Sequence, residues 1–343
     1  MRSRLNRDSA LLLHLVLTMT SPLAPIMGVL GGCMGCMIFV EKIAKAEPSS
    51  MNLMTFSTFL FIASHGLIFT SKFFTVPNKI PLKGYIPTVI TFFTVNVINN
   101  QALNFHVPVP LHIIFRSGSL LANLLLSVIL LKKKYTLRKY LSVFAITIGI
   151  VICTLATSDL EKNSGLSYEE ATKHYREWTI GIAMLVFALL ASAYLAICQQ
   201  RMYETYGKHS DEAMFVIHAI SLPLFSLMGA DIVAAAMKFN ESAPYEIAGV
   251  TIPVPSLWMN LFFSCVLQYY CIRFVYRLNS EVEALTVTLV VTLRKFLSLV
   301  VSIWWFQNPF TYQHWIGAAL VFSGTLAFAD VWDFGNVEKK KKN

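Results

Sequence analysis

Apolar residues in this chain gather into long blocks, broken by short polar punctuation. Ten windows of about twenty mostly apolar residues can be marked, near 22–41, 52–71, 84–104, 110–131, 138–157, 179–200, 211–230, 254–274, 282–306 and 312–331. Roughly twenty apolar residues is the length a helix needs to cross a hydrocarbon layer. The pattern therefore predicts an all-α polytopic membrane protein with ten transmembrane helices. The third window is the most polar, holding Asn96, Asn99, Asn100 and Asn104. Connections are short apart from 158–178 and 231–253.

Charge placement gives the orientation. With a cytosolic N-terminus, the cytosolic segments hold nineteen of the 28 Lys and Arg, from Arg2, Arg4 and Arg7 to the closing run Lys339–Lys342. The opposite side holds six: Lys42, Lys45, Lys162, Lys173, Arg176 and Lys238. Short cytosolic loops carry such an excess, so both termini are expected in the cytosol. The sequon Asn240-Glu241-Ser242 then falls on the lumenal side, where glycosylation occurs.

An internal echo adds to the picture. Arg116-Ser-Gly with Tyr135-Thr136 and Gly149 downstream resembles Arg294-Lys-Phe with Phe310-Thr311 and Gly324 downstream, and thirteen residues separate Thr from Gly in both. Five helices per copy is an odd number, so the second copy enters the membrane inverted. A 5+5 inverted repeat places a substrate site near the midplane between its halves. The expected division is 1–21 as a cytosolic extension, 22–157 as the first repeat, 158–178 as a lumenal loop, 179–331 as the second repeat and 332–343 as a basic tail.

Composition agrees with lipid as the solvent. Hydrophobic residues make up 55% and charged residues 14%, a chain unable to cover itself with solvated charge. The net charge of +9 follows from cytosolic Lys and Arg, and nucleic acid is not an expected partner. The six cysteines lie in apolar stretches. Cys33 and Cys36 form a CxxC, read as small thiols packed at a helix crossing, since a zinc or redox centre needs a second ligand pair or an exposed thiolate. Residues 10–20 are apolar after a basic start but lack a cleavage site, and read as an extension at the interface.

Three cations carry the chemistry. Arg116 lies about 9 Å inside the lumenal end of the fourth helix, at 1.5 Å per residue, and Arg294 and Lys295 lie near the middle of the ninth. Each costs on the order of 2.5–3.5 kcal/mol to place there. The acidic residues nearest the core, Glu41, Glu281, Glu283 and Asp330, lie at helix edges or in loops. Cation-coupled carriers use an intramembrane acid. Here the unmatched charge is positive, which suits an anionic substrate, with Arg offering a planar fork and Lys a point charge to a diphosphate. The competing reading lets Arg116 snorkel while Arg294 and Lys295 pair with Glu41 or Glu281.

Polar groups fit for a base, ribose or sugar surround them: Asn99 and Asn100, His112 one turn before Arg116, His218 and Gln268. Each serves equally as an interhelical hydrogen bond. Gly28, Gly31, Gly32 and Gly35 form a stripe for close helix packing, and Pro110 and Pro223 kink or start helices. No phosphate-cradling glycine loop, H-x-x-x-H pair or acid pair within a membrane cleft is present, so neither an enzyme nor a bound cofactor or metal is expected.

The runs Phe92–Asn104, Pro110–Leu120 and Leu285–Phe296, with Tyr206-Gly-Lys-His209, resemble the nucleotide-sugar transporters of the drug/metabolite transporter superfamily, most closely the UDP-N-acetylglucosamine/UDP-xylose branch. The resemblance spans about Gly28 to Trp332. It implies a ten-helix exchanger of cytosolic UDP-sugar for lumenal UMP by alternating access, in the membrane of the Golgi or endoplasmic reticulum. Val291–Lys295 stands in place of the family's GALNK motif, making Lys295 and Thr292 candidate substrate contacts. Phe215–His218 stands in place of its FYNN motif, keeping Phe215, with His218 as the base-recognising candidate. Cys36, Thr58 and His65 depart from the family pattern, so the choice of sugar does not carry over. Lys340 and Lys341 resemble a dilysine retrieval signal read by coat proteins, and a homodimer is a further expected state. The rival within transport is a carrier of another phosphorylated or sulfated anion; outside it, a membrane scaffold or receptor.

Overall fold

The computed structural model describes residues 23–329, other than 133, 163–167, 248–249 and 282–283. The N-terminal extension, the tail with Lys340 and Lys341, Glu283, Asp330 and the side chain of Glu281 lie outside the described residues.

Twelve α-helices are described: α1 (Leu23–Ala46), α2 (Met51–Phe69), α3 (Leu82–Gln101), α4 (Val109–Ser117), α5 (Ser119–Leu131), α6 (Leu137–Lys162), α7 (Tyr168–Tyr206), α8 (Ser210–Ser221), α9 (Gly229–Asn240), α10 (Ser256–Glu281), α11 (Ala284–Trp304) and α12 (Tyr312–Phe328). Helix is the form that satisfies every backbone amide inside an apolar solvent. Side chains follow the same rule. Thr91, Thr94, Ser117, Ser142, Thr147, Thr154, Thr157 and Asn96 each donate to a carbonyl four residues back in their own helix.

Among the described residues, seven helical stretches are long and apolar enough to cross a membrane, against ten windows in the sequence. The three that fall short have visible causes. Helix α3 carries Asn96, Asn99 and Asn100; α10 carries Gln268, Arg273 and Arg277; α12 is 17 residues long. Each packs against a helix that does meet the test, α3 on α7, α10 on α1 and α12 on α6.

Helix boundaries differ from the windows in three places. The fourth window divides into α4 and α5 at Gly118. The seventh continues through a 3-10 segment, Leu222–Met228, into α9, with Pro223 in its first turn. The expected loop 158–178 is largely helical, because α6 reaches Lys162 and α7 begins at Tyr168. An antiparallel hairpin of β1 (Pro244–Ile247) and β2 (Val250–Pro255) joins α9 to α10.

Small residues set the closest crossings. A Cβ at Gly149 of α6 would lie 2.5 Å from the Gly317 carbonyl and 2.8 Å from Val321 of α12; one at Gly324 would lie 2.9 Å from the Ser142 carbonyl and 2.8 Å from Ile146. Ser142, Ile146 and Gly149 share the spacing of Gly317, Val321 and Gly324, so the two contacts exchange roles between the helices. On α1, Gly28 meets the Phe274 ring, Gly32 the Cys271 backbone and Gly35 the Leu267 side chain; Gly31 meets nothing. Three of the four stripe glycines therefore seat α1 on α10.

The cysteine expectation needs a correction. Cys33 does not merely pack: it forms a disulfide with Cys271 across the α1–α10 crossing, leaving Cys36, Cys153, Cys198 and Cys265 free. The backbones are close enough there to bring residues 238 apart in sequence into bonding contact, a proximity that sequence spacing does not report.

Candidate functional site

The helix break at Gly118 organises the centre of the bundle. Carbonyls in the last turn of a helix lose their partners, and the Arg116 carbonyl, in the last turn of α4, accepts a hydrogen bond from Lys295 Nζ at 3.0 Å. Lys295 comes from α11 and so carries Arg294 into the same region, where Arg294 Nη1 donates to Cys271 Sγ at 3.6 Å. Two helices far apart in the chain thus deliver three cations to one place.

They line neighbouring cavities, the three arms of a central chamber, and Arg116 borders all three. One arm, about 250 Å³, runs beside α7 and includes Asn96, Asn99, Ser119, Ser192, Arg294 and Lys295. A second, about 130 Å³, lies between α1, α2, α3 and α10 and includes Asn99, Asn100, His112, Thr58 and Gln268. A third, about 90 Å³, holds Arg294, Lys295 and Ser298 beside the disulfide. The first arm, at about 250 Å³, comes near the lower end of the usual size of a small-molecule site, roughly 300–1,000 Å³. Arg116 is exposed to this chamber although its helix neighbours from Leu111 to Phe115 are buried.

Among the described residues, none of the three cations pairs with a carboxylate. The acid of the competing reading whose side chain is described, Glu41, is engaged elsewhere. It is 2% exposed and accepts hydrogen bonds from Ser302 Oγ, at 2.8 Å, and from Asn308 Nδ2. Its needs are met by neutral donors, so it is not held by Arg294 or Lys295.

The other residues singled out from sequence divide into two groups. Asn99, Asn100, His112, Arg116, Gln268, Arg294 and Lys295 all line the chamber. His112 does so while fixing α4 to α3, its Nε2 lying 2.8 Å from the Asn99 carbonyl. Thr292 is buried and lines none of the arms. His218 is also set back: its Nδ1 lies 2.6 Å from the Met214 carbonyl and its ring packs on Phe59 and Phe92 at 4.8 and 5.0 Å. Phe59 lines the second arm, so His218 stands one layer behind that wall. Asn96 and Ser298 join the chamber without having been chosen. Both lie one helical turn from a chosen residue, Asn99 and Lys295, and that spacing was the available signal.

A separate cleft of about 300 Å³ lies among residues 70–79 and 208–215. Its Lys79 and Lys208 are accompanied by Asp211 and Glu212, and the Glu212 carboxylate accepts bonds from the backbone N–H groups of Lys79 and Ile80 and from Tyr85 OH. Matched charge and satisfied acceptors make it a contact between α8 and the α2–α3 connection. Asn240, the sequon residue, ends α9 exposed, and its Oδ1 accepts from Trp258 Nε1 at 2.8 Å.

Known proteins of similar sequence carry the same theme. The chain is 46% identical over 297 residues to the nucleotide sugar transporter SLC35B4 of Macaca fascicularis, covering 86% of this chain and 90% of that one. It is 46% identical over 295 residues to the UDP-xylose and UDP-N-acetylglucosamine transporter of Danio rerio, covering 86% and 89%. It is 48% identical over 302 residues to the endoplasmic reticulum GDP-fucose transporter of Drosophila melanogaster, covering 86% of each. A family model for the UAA transporters matches residues 21–332, and this chain belongs to that UAA transporter family.

Proposed function

We propose that the protein is a nucleotide-sugar antiporter of the Golgi or endoplasmic reticulum membrane, bringing UDP-N-acetylglucosamine, UDP-xylose or both into the lumen in exchange for UMP. The observation that carries this reading is the convergence of Arg116, Arg294 and Lys295 on one chamber without a described carboxylate partner. Left empty, such a site holds uncompensated charge in a poorly polarisable setting, a state that is expensive. A diphosphate neutralises it through charge-assisted hydrogen bonds. The amides of Asn99, Asn100 and Gln268 then meet the uncharged parts of the substrate. Nothing in this scheme requires bond chemistry; the protein is read as a carrier and not an enzyme.

The architecture we infer is ten crossings in a 5+5 inverted repeat with both termini cytosolic, divided as the sequence suggests. Two features support it. The reciprocal contacts of Gly149 and Gly324 are those of a local two-fold axis between the fifth and tenth crossings. The packing pairs also map onto one another: α1 on α10 with α7 on α3, and α1 on α11 with α7 on α5. Alternating access then proceeds by movement of one half against the other around the chamber. Retrieval by coat proteins through Lys340 and Lys341, glycosylation at Asn240 and dimerisation belong to the same reading.

The test is uptake of labelled UDP-N-acetylglucosamine by purified protein in liposomes. Vesicles preloaded with UMP should take it up faster than empty ones; equal rates remove the exchange mechanism. The relative named for GDP-fucose favours a second reading, in which guanosine nucleotides are carried. Competition by GDP-fucose with no competition by UDP-sugars would select it, and competition by neither would leave another phosphorylated or sulfated anion.

A further inference from the structure

The second arm of the chamber has a polarity pattern that goes beyond holding a phosphate. Two of its amide side chains are oriented by neighbours in the same lining. Asn100 Nδ2 donates to Thr55 Oγ1 at 2.6 Å. The Thr55 hydroxyl has already committed its proton to the Met51 carbonyl, at 2.8 Å, so it acts as acceptor toward Asn100. The Asn100 amide is thereby held with its NH₂ on Thr55, and its carbonyl oxygen keeps its acceptor capacity for the arm. Gln268 is held in the opposite sense: its Oε1 takes the thiol of Cys36 at 3.1 Å, which leaves its two N–H donors. One acceptor and one donor group therefore line the same arm.

Besides the polar Asn96, Asn99, His112, Arg116 and Ser264, the arm has an apolar part. Met37, Val40, Leu103 and Val109 line it, and all four are partly exposed. Thr58, also in the lining, has its hydroxyl 3.7 Å from Cys265 Sγ. A group suited to such a slot has one N–H, one C=O and a small apolar end. That is an acetamido group: its N–H donates to Asn100, its carbonyl accepts from Gln268, and its methyl lies on Val40 and its neighbours.

We propose that this arm is a subsite for the acetamido substituent of an N-acetylated sugar, with Asn100, Gln268 and Val40 setting a preference for UDP-N-acetylhexosamine over UDP-xylose, which lacks that substituent. The inference rests on the nucleotide-sugar reading above and deepens it. A uracil ring also offers N–H and C=O groups, but it belongs to both UDP-sugars and to UMP alike, so it sets no preference between them. Polar groups left without partners are the effective means of rejecting an analogue.

The experiment compares uptake of UDP-N-acetylglucosamine and UDP-xylose by wild type, Gln268→Met and Val40→Phe in liposomes, alongside thermal stabilisation by UMP in detergent. Gln268→Met keeps the length of the side chain and removes both donors; Val40→Phe fills the apolar end from another helix. Each variant should lower the ratio of kcat/KM for UDP-N-acetylglucosamine over UDP-xylose at least tenfold. Variants that lower both substrates equally, with UMP stabilisation also lost, would place the base in this arm and overturn the proposal. An unchanged ratio in both variants overturns it as well. Wild-type protein that UMP and both UDP-sugars fail to stabilise defeats the nucleotide-sugar reading itself, a result distinct from either.

Discussion

Glu41 and Arg116 are both ionisable groups deep within the bundle, and the protein treats them in opposite ways. Glu41 is enclosed at 2% exposure and met by the hydroxyl of Ser302 and the amide of Asn308, with Asn308 also donating to the Ser302 carbonyl and hydroxyl. It joins α1 to the end of α11 and the turn beyond it. Arg116 is open to a chamber, beside two further cations, with no described acid against it. A buried charge whose hydrogen bonds are completed by the protein is structural. One whose bonds are left open, as at Arg116, is the group we propose for the substrate.

The comparison breaks most decisively at the cations. Lys295→Ala should lower UDP-sugar uptake more than 100-fold while the empty protein unfolds at the same temperature or higher, because removing an uncompensated charge relieves the folded state. Loss of the folded protein in a thermal melt would instead make Lys295 structural.

Next comes a supplied counter-ion. Asn99→Asp places a carboxylate on the lining of two of the three arms that Arg116 lines, and should weaken UDP binding by roughly 10- to 100-fold through competition for the guanidinium. Unaltered affinity in a titration would show that the charge of the site is not what binds.

Glu41→Ala should do the reverse. It leaves Ser302 and Asn308 without their buried acceptor, at a cost of about 1–3 kcal/mol in stability, with UDP affinity held within twofold. A large loss of affinity would join the two regions into one functional unit.

The smallest effect is expected at Lys238, which reaches Glu47 at 2.9 Å with its side chain 52% exposed. Burial alone would raise the Glu47 carboxyl, but hydrogen bonds from Ser49 and Lys238 outweigh it and hold the group below its ordinary value. A depressed folded value means stability present above the unfolded value and lost as pH falls through the folded one. Lys238→Ala should therefore cost about 0–1 kcal/mol near neutral pH, and the difference from wild type should vanish in acid. A gap in melting temperature that persists in acid would contradict the ion pair.

Most of the membrane character was legible in the chain, because a twenty-residue apolar run has few other fates. Boundaries failed where a helix was interrupted. Gly118 divides the fourth window without any signal stronger than one glycine, and that break is what frees the Arg116 carbonyl for Lys295. The candidate site was legible as unmatched charge on two helices, Arg116 on one and Arg294 with Lys295 on the other. His218 shows the limit: its type and place suggested a contact, yet Phe59 stands between it and the chamber. A polar residue in an apolar helix announces only that it has a partner, and whether that partner is substrate or protein depends on which face the bundle turns inward.

The order of residues alone determined that this chain lives in lipid, that its loops are unequally charged, and that its core cations outnumber the acids within reach. Those properties follow from composition and spacing, which are local. The tertiary structure decided which charges meet: that Arg116 and Lys295, 179 residues apart, share a hydrogen bond, that Cys33 finds Cys271 and not Cys36, and that Glu41 is answered by Ser302. Such pairings depend on how close two helices approach and at what rotation, and small residues such as Gly32 and Gly149 set that through contacts made only once the bundle has closed.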